Sequence, residues 1–336
     1  MNILVVGAGL SGSVISRELA DAGHNINVID KRDHIAGNTR DVIDSFGIRK
    51  HVYGPHLFHT NNENVIVFVK KFAEWIDYKH KVKAMLSDGR LVTLPVNAET
   101  KQIVGEENII ETFFRPYTEK MWGMPLERVS PDVLKRVPIR DDLNELYFPN
   151  DKFQGLPKYG YENFVSNILN HPNIEVRLNT SFHREMENDY DYCFNSMPID
   201  EYYDYRFGRL EYRSIKFHDV LIPCPRVFNV ATVNLTNTGP YTRITEWKNL
   251  PDHGENDLHT LLTYEEPCDF RENNDEKFYP VKDIDGKNRE LFNKYMAISN
   301  LKTKFIGRLG LYSYLDMDQC INSALIAARN FIRDVR

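Results

Sequence analysis

The chain of 336 residues is poor in the features that would announce a metal centre, a nucleic-acid site or a membrane anchor. Its four cysteines, Cys193, Cys224, Cys268 and Cys320, stand far apart with no Cys-x-x-Cys, which argues against a zinc knuckle or a dithiol redox pair and suits a reducing compartment. Positive charge is not in excess: the net charge is -6, so no basic field advertises nucleic acid or an anionic membrane, and an anionic ligand must be met by local arginines. No apolar run approaches the ~20 residues needed to span a bilayer. Met1 leads directly into an apolar strand, leaving no room for a secretory leader, and the expectation is a cytoplasmic protein. Repeats and low-complexity tracts are lacking too. The chain can bury one large core or two modest ones, and its 42% apolar and 27% charged residues are ordinary for a globular protein.

What is present is concentrated in the first thirty residues. Residues 2–6 form a short apolar run suited to a buried parallel strand, and Gly7, Gly9 and Gly12 follow as Gly-x-Gly-x-x-Gly. Gly7 permits the tight turn, Gly9 lets a pyrophosphate approach the backbone, and Gly12 lets helix and strand pack closely. A helix over 11–22 would point its positive end at that pyrophosphate. A second strand, 26–29, ends at Asp30, an acid placed to accept from a ribose hydroxyl. Strand, triplet, helix, strand and acid in order point to a dinucleotide. The next stretch, Lys-Arg-Asp-His-Ile-Ala-Gly37-Asn38, is a basic pair and a small-residue turn, which suits a flavin better than a nicotinamide; an ordinary turn before the next strand is the alternative.

Further along, the apolar spacing of Val65, Phe68, Val69 and Phe72 predicts a helix over 64–75. Asp88-Gly89 marks a hairpin between 81–86 and 90–94. Residues 95–121 read as short and helical, and 126–146, proline-punctuated and charged, as a mobile surface segment. A helix over 161–169, strands over 174–178 and 191–195 and a short helix over 198–205 come next. Strand-like runs at 214–222, 227–235, 241–247 and 260–264 then follow without long helices, which indicates a largely antiparallel sheet. A helix over 288–298, a strand over 304–306 and a closing helix over 317–335 end the chain. The fold class expected is α/β: a Rossmann-like FAD-binding domain with an inserted, mainly antiparallel sheet domain and a small helical domain.

Four constellations carry chemistry. Gly54-Pro-His56-Leu-Phe-His59 has metal-like spacing but no third ligand nearby, so no metal is expected; the imidazoles either serve a turn or lie against the flavin or sugar. Tyr117-Thr118-Glu-Lys-Met-Trp122-Gly places Tyr117 and Met121, and Thr118 and Trp122, one helical turn apart. Its aromatic faces either stack on a base or sugar or pack a helix face. Arg136, Arg140 and Arg243 offer guanidinium forks that match a diphosphate, or are surface charges. Gly307-Arg308-Leu-Gly-Leu-Tyr-Ser-Tyr314-Leu-Asp316-Met317 reads as strand end, glycines and helix start, with Asp316 either facing a ligand or capping the helix.

Taken together, these stretches resemble the UDP-galactopyranose mutase family from Met1 to the closing helix, with further matches at 147–155, 198–214, 240–244 and 278–281. The resemblance implies a flavoenzyme that interconverts UDP-galactopyranose and UDP-galactofuranose in galactofuranose biosynthesis, with reduced FAD attacking the anomeric carbon through N5, UDP departing and returning, and no net electron transfer. NADPH or NADH would be the reductant. It implies catalytic roles for Arg136, Arg243, His56, His59 and Asp316. Phe113, Tyr117, Thr118, Trp122, Tyr147, Asn234, Tyr279 and Tyr314 would bind substrate beside the two arginines. FAD would be held by Gly7, Gly9, Leu10, Ser11, Gly12, Asp30, Lys31, Gly37, Asn38, His56, Gly307, Arg308, Tyr314, Asp316 and Met317.

Departures from the family pattern are visible. Ala36 stands where a glycine is usual, and Asn234 and Arg243 are one residue closer. The stretch between Pro95 and Phe113 is far shorter than the helical domain through which bacterial members dimerise, so a monomer is favoured. The expected domains are 1–75, 159–209 and 283–336 for FAD, 97–146 for the reduced helical part with a substrate loop, and 76–96, 147–158 and 210–282 for the sheet. Competing readings are the same chemistry on UDP-N-acetylgalactosamine or a dTDP-deoxysugar, a flavin oxidase or dehydrogenase, and a non-catalytic nucleotide-binding module. A small-molecule substrate, with no nucleic-acid or membrane partner, is common to them.

Overall fold

The computed structural model describes residues 1–129 and 138–335. A five-stranded parallel sheet comprises Asn2–Val6 (β1), Asn25–Ile29 (β2), Ile174–Arg177 (β10), Tyr192–Asn195 (β11) and Thr303–Phe305 (β17), in the order β10-β2-β1-β11-β17. The apolar run of β1 is explained by its central place, covered on both faces. Ile3 and Val5 pack in one core with Val14, Ile15 and Leu19 of helix Leu10–Asp21 (α1), Phe164 of Tyr161–Leu169 and Leu325 of the closing helix Met317–Asp334. Leu4 and Val6 pack on the other face with Cys193 and Phe182. Strand order reverses at β1, which has β2 on one side and β11 on the other, and the crevice beyond the carboxyl ends at such a point is where α/β sheets hold ligands.

The second sheet has seven strands. Tyr279–Pro280 (β16), Tyr212–Ile222 (β12), Thr260–Asp269 (β15), Arg243–Glu246 (β14), Thr232–Leu235 (β13), Val82–Met85 (β7) and Leu91–Leu94 (β8) follow one another in that spatial order. Every pairing is antiparallel except β13 with β7, which is parallel. Ala98–Val104 (α3), a π-helical turn over Ile110–Phe114 and helix Arg115–Trp122 (α4) lie against this sheet, Phe113 and Phe114 sharing a cluster with Val82, Ala84 and Val92.

Several sequence expectations need correction. The helix expected over 64–75 stops early, as Glu63–Lys70 (α2). Trp75–Asp77 (β6) is instead a strand, because the Trp75 ring joins an aromatic cluster with Phe58, Phe153 and Phe164 at centroid distances of 5.0, 5.4 and 5.5 Å. Residues 147–158, assigned to the large sheet, put Phe153–Pro157 (β9) into a separate three-stranded sheet between Phe58–Thr60 (β5) and β6. The strand expected over 227–235 begins only at Thr232, since the Val227 and Phe228 amides donate to the Glu246 carboxylate instead of a neighbouring strand. Of the segment 126–146, residues 130–137 lie outside the described residues, and with them Arg136. Its far end is tied down: Arg140 N donates to Val96 O, and Lys81 bridges to Leu146.

Candidate active site

The glycine turn works as its spacing implies. Gly7 has φ +103° and lies so close to Ser196 that a Cβ there would come within 2.0 Å of the hydroxyl. A Cβ on Gly12 would stand 1.9 Å from the Gly7 carbonyl oxygen, so the first turn of α1 packs on the strand end with no room for a side chain. Gly9 and Gly37 face each other across the crevice, their backbones near enough that a Cβ on Gly37 would reach 3.0 Å from the Gly9 Cα. No side chain caps the N-terminus of α1, so its first amides remain available to an anion.

Around this turn lies a cavity of about 310 Å³, within the range of small-molecule and cofactor sites. Of the residues expected to hold a dinucleotide, Gly7, Gly9, Leu10, Ser11, Gly12, Asp30, Lys31, Gly37, Asn38, His56, Gly307, Arg308 and Met317 line it. Tyr314 and Asp316 do not. Tyr314 lies under the Arg308 guanidinium at 5.1 Å, and Asp316 caps the closing helix in a capping box with Gln319. Asp30 is busier than expected: its two carboxylate oxygens accept from the Ala8 and Arg32 amides, at 2.8 and 2.9 Å. The residues are those a dinucleotide of the FAD kind needs: an uncapped helix N-terminus for the diphosphate, an acid at the end of β2, and a two-glycine gap between.

A second group adjoins the cavity. In the seven-stranded sheet, Glu265, Arg243 and Asn234 stand in one row, each directly opposite the next across β15, β14 and β13. The Glu265 carboxylate, 1% exposed, pairs with Arg243 Nε at 2.6 Å, while a quarter of the Arg243 side chain stays exposed. Burial works against the Arg243 charge, but the Glu265 carboxylate and the Tyr117 phenol beside it more than offset this and hold it above its ordinary pKa. Tyr117 and Tyr279 pack against the cluster of Met121, Trp122, Ile215 and Phe278, which buries Trp122. Burial, then the neighbouring Tyr314, push the Tyr279 phenol up to about 12, and burial raises Tyr117 further still. The rings of Tyr279 and Tyr314 stack at 5.4 Å, and Arg308 sits over both.

The two histidines differ. His56 lines the cavity with Nδ1 2.7 Å from the Gly54 carbonyl; burial, opposed by that hydrogen bond, brings its pKa down to about 4, so it is neutral. His59 bonds Asp151 through Nδ1 at 2.6 Å and stacks flat on Phe148 at 3.5 Å, outside the cavity. Thr118 and Phe113 are buried. Arg140 is not available as a clamp: it donates to the Leu146 and Tyr147 carbonyls at 2.6 and 3.1 Å and so fixes the backbone that carries Tyr147. Among the described residues no group of three His, Cys, Asp or Glu side chains could hold a metal, and no helix is long and apolar enough to cross a membrane.

Some site residues escape the sequence reading. Glu265 is one: its strand also holds Glu266 and Asp269, so nothing in the sequence singles out the buried acid. Arg32 is another: beside the expected Lys31, it lines the cavity, bonds Asn38 at 2.8 Å and Glu276 at 2.6 Å, and lies 4.5 Å over Tyr53. Ser196, Met197, Lys277 and Cys320 also belong to the wall, and nothing local in the sequence marks them.

Comparison with known proteins gives the family. Residues 112–314 match the UDP-galactopyranose mutase family, and residues 5–72 the NAD(P)-binding Rossmann-like domain. The probable UDP-galactopyranose mutase of Klebsiella pneumoniae is 36% identical over 379 aligned positions, covering 99% of this chain and 95% of that protein. This chain belongs to the UDP-galactopyranose mutase family. It is also 34% identical to the dTDP-fucopyranose mutase of Escherichia coli, over 99% of this chain and 98% of the relative. A solved reduced UDP-galactopyranose mutase shares the fold with a TM-score of 0.74 at 17% identity, covering 99% of this chain and 95% of that one. The glycine turn therefore lies in the Rossmann-like part, and Tyr117, Arg243 and Tyr279 all fall within the stretch matched to the mutase family.

Proposed function

We propose that this chain isomerises UDP-galactopyranose and UDP-galactofuranose with FAD in the glycine-lined cavity. One observation carries the reading: of the residues that line the dinucleotide cavity, Arg308 lies over the Tyr279–Tyr314 stack and His56 is within electrostatic reach of Arg243, so the cofactor cleft adjoins a row suited to a sugar diphosphate. When bound and reduced, FAD supplies the nucleophile for the anomeric carbon. The chain's own residues would then hold what leaves. Arg243, kept charged, grips the diphosphate with Arg136, so that UDP departs as an anion and stays in place to return. Tyr279, Tyr314 and Tyr147 donate hydrogen bonds to phosphate oxygens, and the raised pKa of Tyr279 keeps its proton on at working pH. Tyr117 stacks on the uracil with Phe113 and Thr118 behind it; Trp122 and Asn234 border the sugar. Neutral His56 faces the cofactor as a hydrogen-bond partner without adding charge, while Asp316, at the cap of the closing helix, and His59, held by Asp151, act from outside the cavity wall.

The test is product analysis. Dithionite-reduced protein should convert UDP-galactofuranose to the pyranose, and oxidised protein should not; equal activity in both states, or a protein that takes up no FAD, would end the proposal. A second reading is favoured by the dTDP-fucopyranose mutase relative, nearly as similar as the first. Running UDP-galactose, UDP-N-acetylgalactosamine and dTDP-fucose side by side decides between them. NADH or NADPH is the proposed reductant, detected as flavin bleaching. The alignment with the Klebsiella protein runs over 379 positions against 336 residues here, so that relative carries residues this chain lacks. With the stretch before Phe113 short, we infer a monomer, which sedimentation at the mass of one chain would support.

A further inference from the structure

Lys120 has no place among the proposed ligand contacts, yet its ammonium makes an unusual set of bonds. It donates to the backbone carbonyls of Leu235, Asn237 and Tyr241, at 3.0, 3.0 and 2.8 Å. Leu235 is the last residue of β13, and Asn237 and Tyr241 lie in the turn that joins β13 to β14. An ammonium has three protons, and here each has a carbonyl acceptor. The strands on either side of that turn carry Asn234 and Arg243, paired with each other. The helix that carries Lys120, α4, carries Tyr117 one turn earlier. A second cation fastens the same helix to the sheet from the other side: Arg213 of β12 donates to the carbonyls of Met121 and Lys120, at 2.8 and 3.2 Å. Gly123 ends the helix at φ +66°, where a Cβ would press within 2.8 Å of that guanidinium.

We propose that Lys120 is a positioning residue for nucleotide-sugar binding, holding the base-stacking helix at a set distance from the strand pair that grips the diphosphate. The inference rests on the function proposed above, because it takes Tyr117 and Arg243 as the two ends of the ligand site. A nucleoside diphosphate spans a fixed length between base and phosphate, so a helix free to shift would lose one contact when it made the other. Lys120 touches neither ligand nor cofactor, and its loss should weaken binding far more than turnover. Burial brings its pKa down to about 8, so the clamp is complete below that pH and weakens above it. The charged neighbours are engaged elsewhere: Glu119 accepts from Arg115 and Leu126 N, Arg213 from the sheet bonds the helix carbonyls, and Tyr241 packs its ring on His218 and Tyr264.

The experiment measures UDP affinity by calorimetry, and KM and kcat on reduced enzyme, for wild type, Lys120→Met and Lys120→Gln. FAD content and thermal midpoint are recorded for each. The expected result is a UDP Kd and a KM raised at least tenfold in Lys120→Met, less in Lys120→Gln, with kcat within about threefold and FAD content unchanged. Wild-type KM should climb between pH 8 and 9, and this climb should be absent in Lys120→Met. Wild-type UDP binding matched by both variants would overturn the proposal, as would a loss confined to kcat. If Lys120→Met fails to fold, Lys120→Gln and the wild-type pH profile decide alone: a KM flat through pH 9 overturns it. Wild type that binds no UDP would instead remove the functional reading, and this inference with it.

Discussion

Replacing Arg243 by methionine separates its part in stability from its part in binding. Glu265 is almost wholly inaccessible and lies 2.6 Å from the guanidinium. Removing one partner of such a pair strands the other charge away from water and costs roughly 3–5 kcal/mol. The low end, about 3 kcal/mol, applies here because a quarter of the Arg243 side chain is exposed and lets solvent approach. Removing both partners leaves no orphan charge, so Arg243→Met with Glu265→Met should regain most of that loss, giving a coupling of about 2–3 kcal/mol in the double-mutant cycle. Activity should not follow. The double variant still lacks the diphosphate clamp, and its turnover should stay down by two orders of magnitude or more, the scale of a lost charge-stabilising donor. Urea denaturation and turnover of reduced enzyme on all four proteins give both readouts. An Arg243→Met protein as stable as wild type would show that Glu265 is not dependent on its partner. Restored turnover in the double variant would remove Arg243 from the site.

Three further outcomes follow from named atoms. Gly12→Ala forces a methyl to 1.9 Å from the Gly7 carbonyl, so α1 must move off the strand end, and the protein should purify without FAD and with a lower thermal midpoint; normal flavin content would refute the close packing. Four buried histidines are held neutral chiefly by burial: His56 and His253 are brought down to about 4, His80 to about 3, and His51 well below its ordinary value. Their folded pKa values lie below the unfolded 6.5, so the unfolded chain binds more protons between pH 6.5 and 4, and stability present above pH 6.5 is lost on acidification. The loss is about 2 kcal/mol each for His56, His80 and His253 at pH 5, and His51 adds in the same direction; a urea midpoint unchanged from pH 7 to 5 would contradict it. Within that set, His51 Nδ1 accepts from the His56 amide at 2.9 Å and its Nε2 lies 3.2 Å from His253 Nε2. His51→Leu should therefore loosen the cavity wall and raise the FAD Kd several-fold, and His51→Asn, which keeps an acceptor near Nδ1, should recover much of the affinity.

How much was legible in the chain depended on how local the cause was. The first strand, the glycine turn and the first helix could be read directly, because a tight turn and a close helix–strand approach restrict residue type within a dozen positions. The strand-rich character of residues 210–264 and the closing helix were legible for the same reason: period and propensity act over neighbours. Trp75 was misplaced because its ring answers to Phe58, Phe153 and Phe164, partners that a helical period over 64–75 cannot see. Arg140 and Arg243 looked alike in sequence, and only the folded chain turned one to backbone carbonyls and the other to a buried carboxylate. Glu265, Arg32 and Lys120 belong to the same category. Sequence alone determined that this chain builds a dinucleotide turn and carries the residues of a mutase. The row of Glu265, Arg243 and Asn234, and the lysine that holds α4 beside it, depend on strand pairings between residues far apart in the chain, and such registers are set by the packing of the whole sheet.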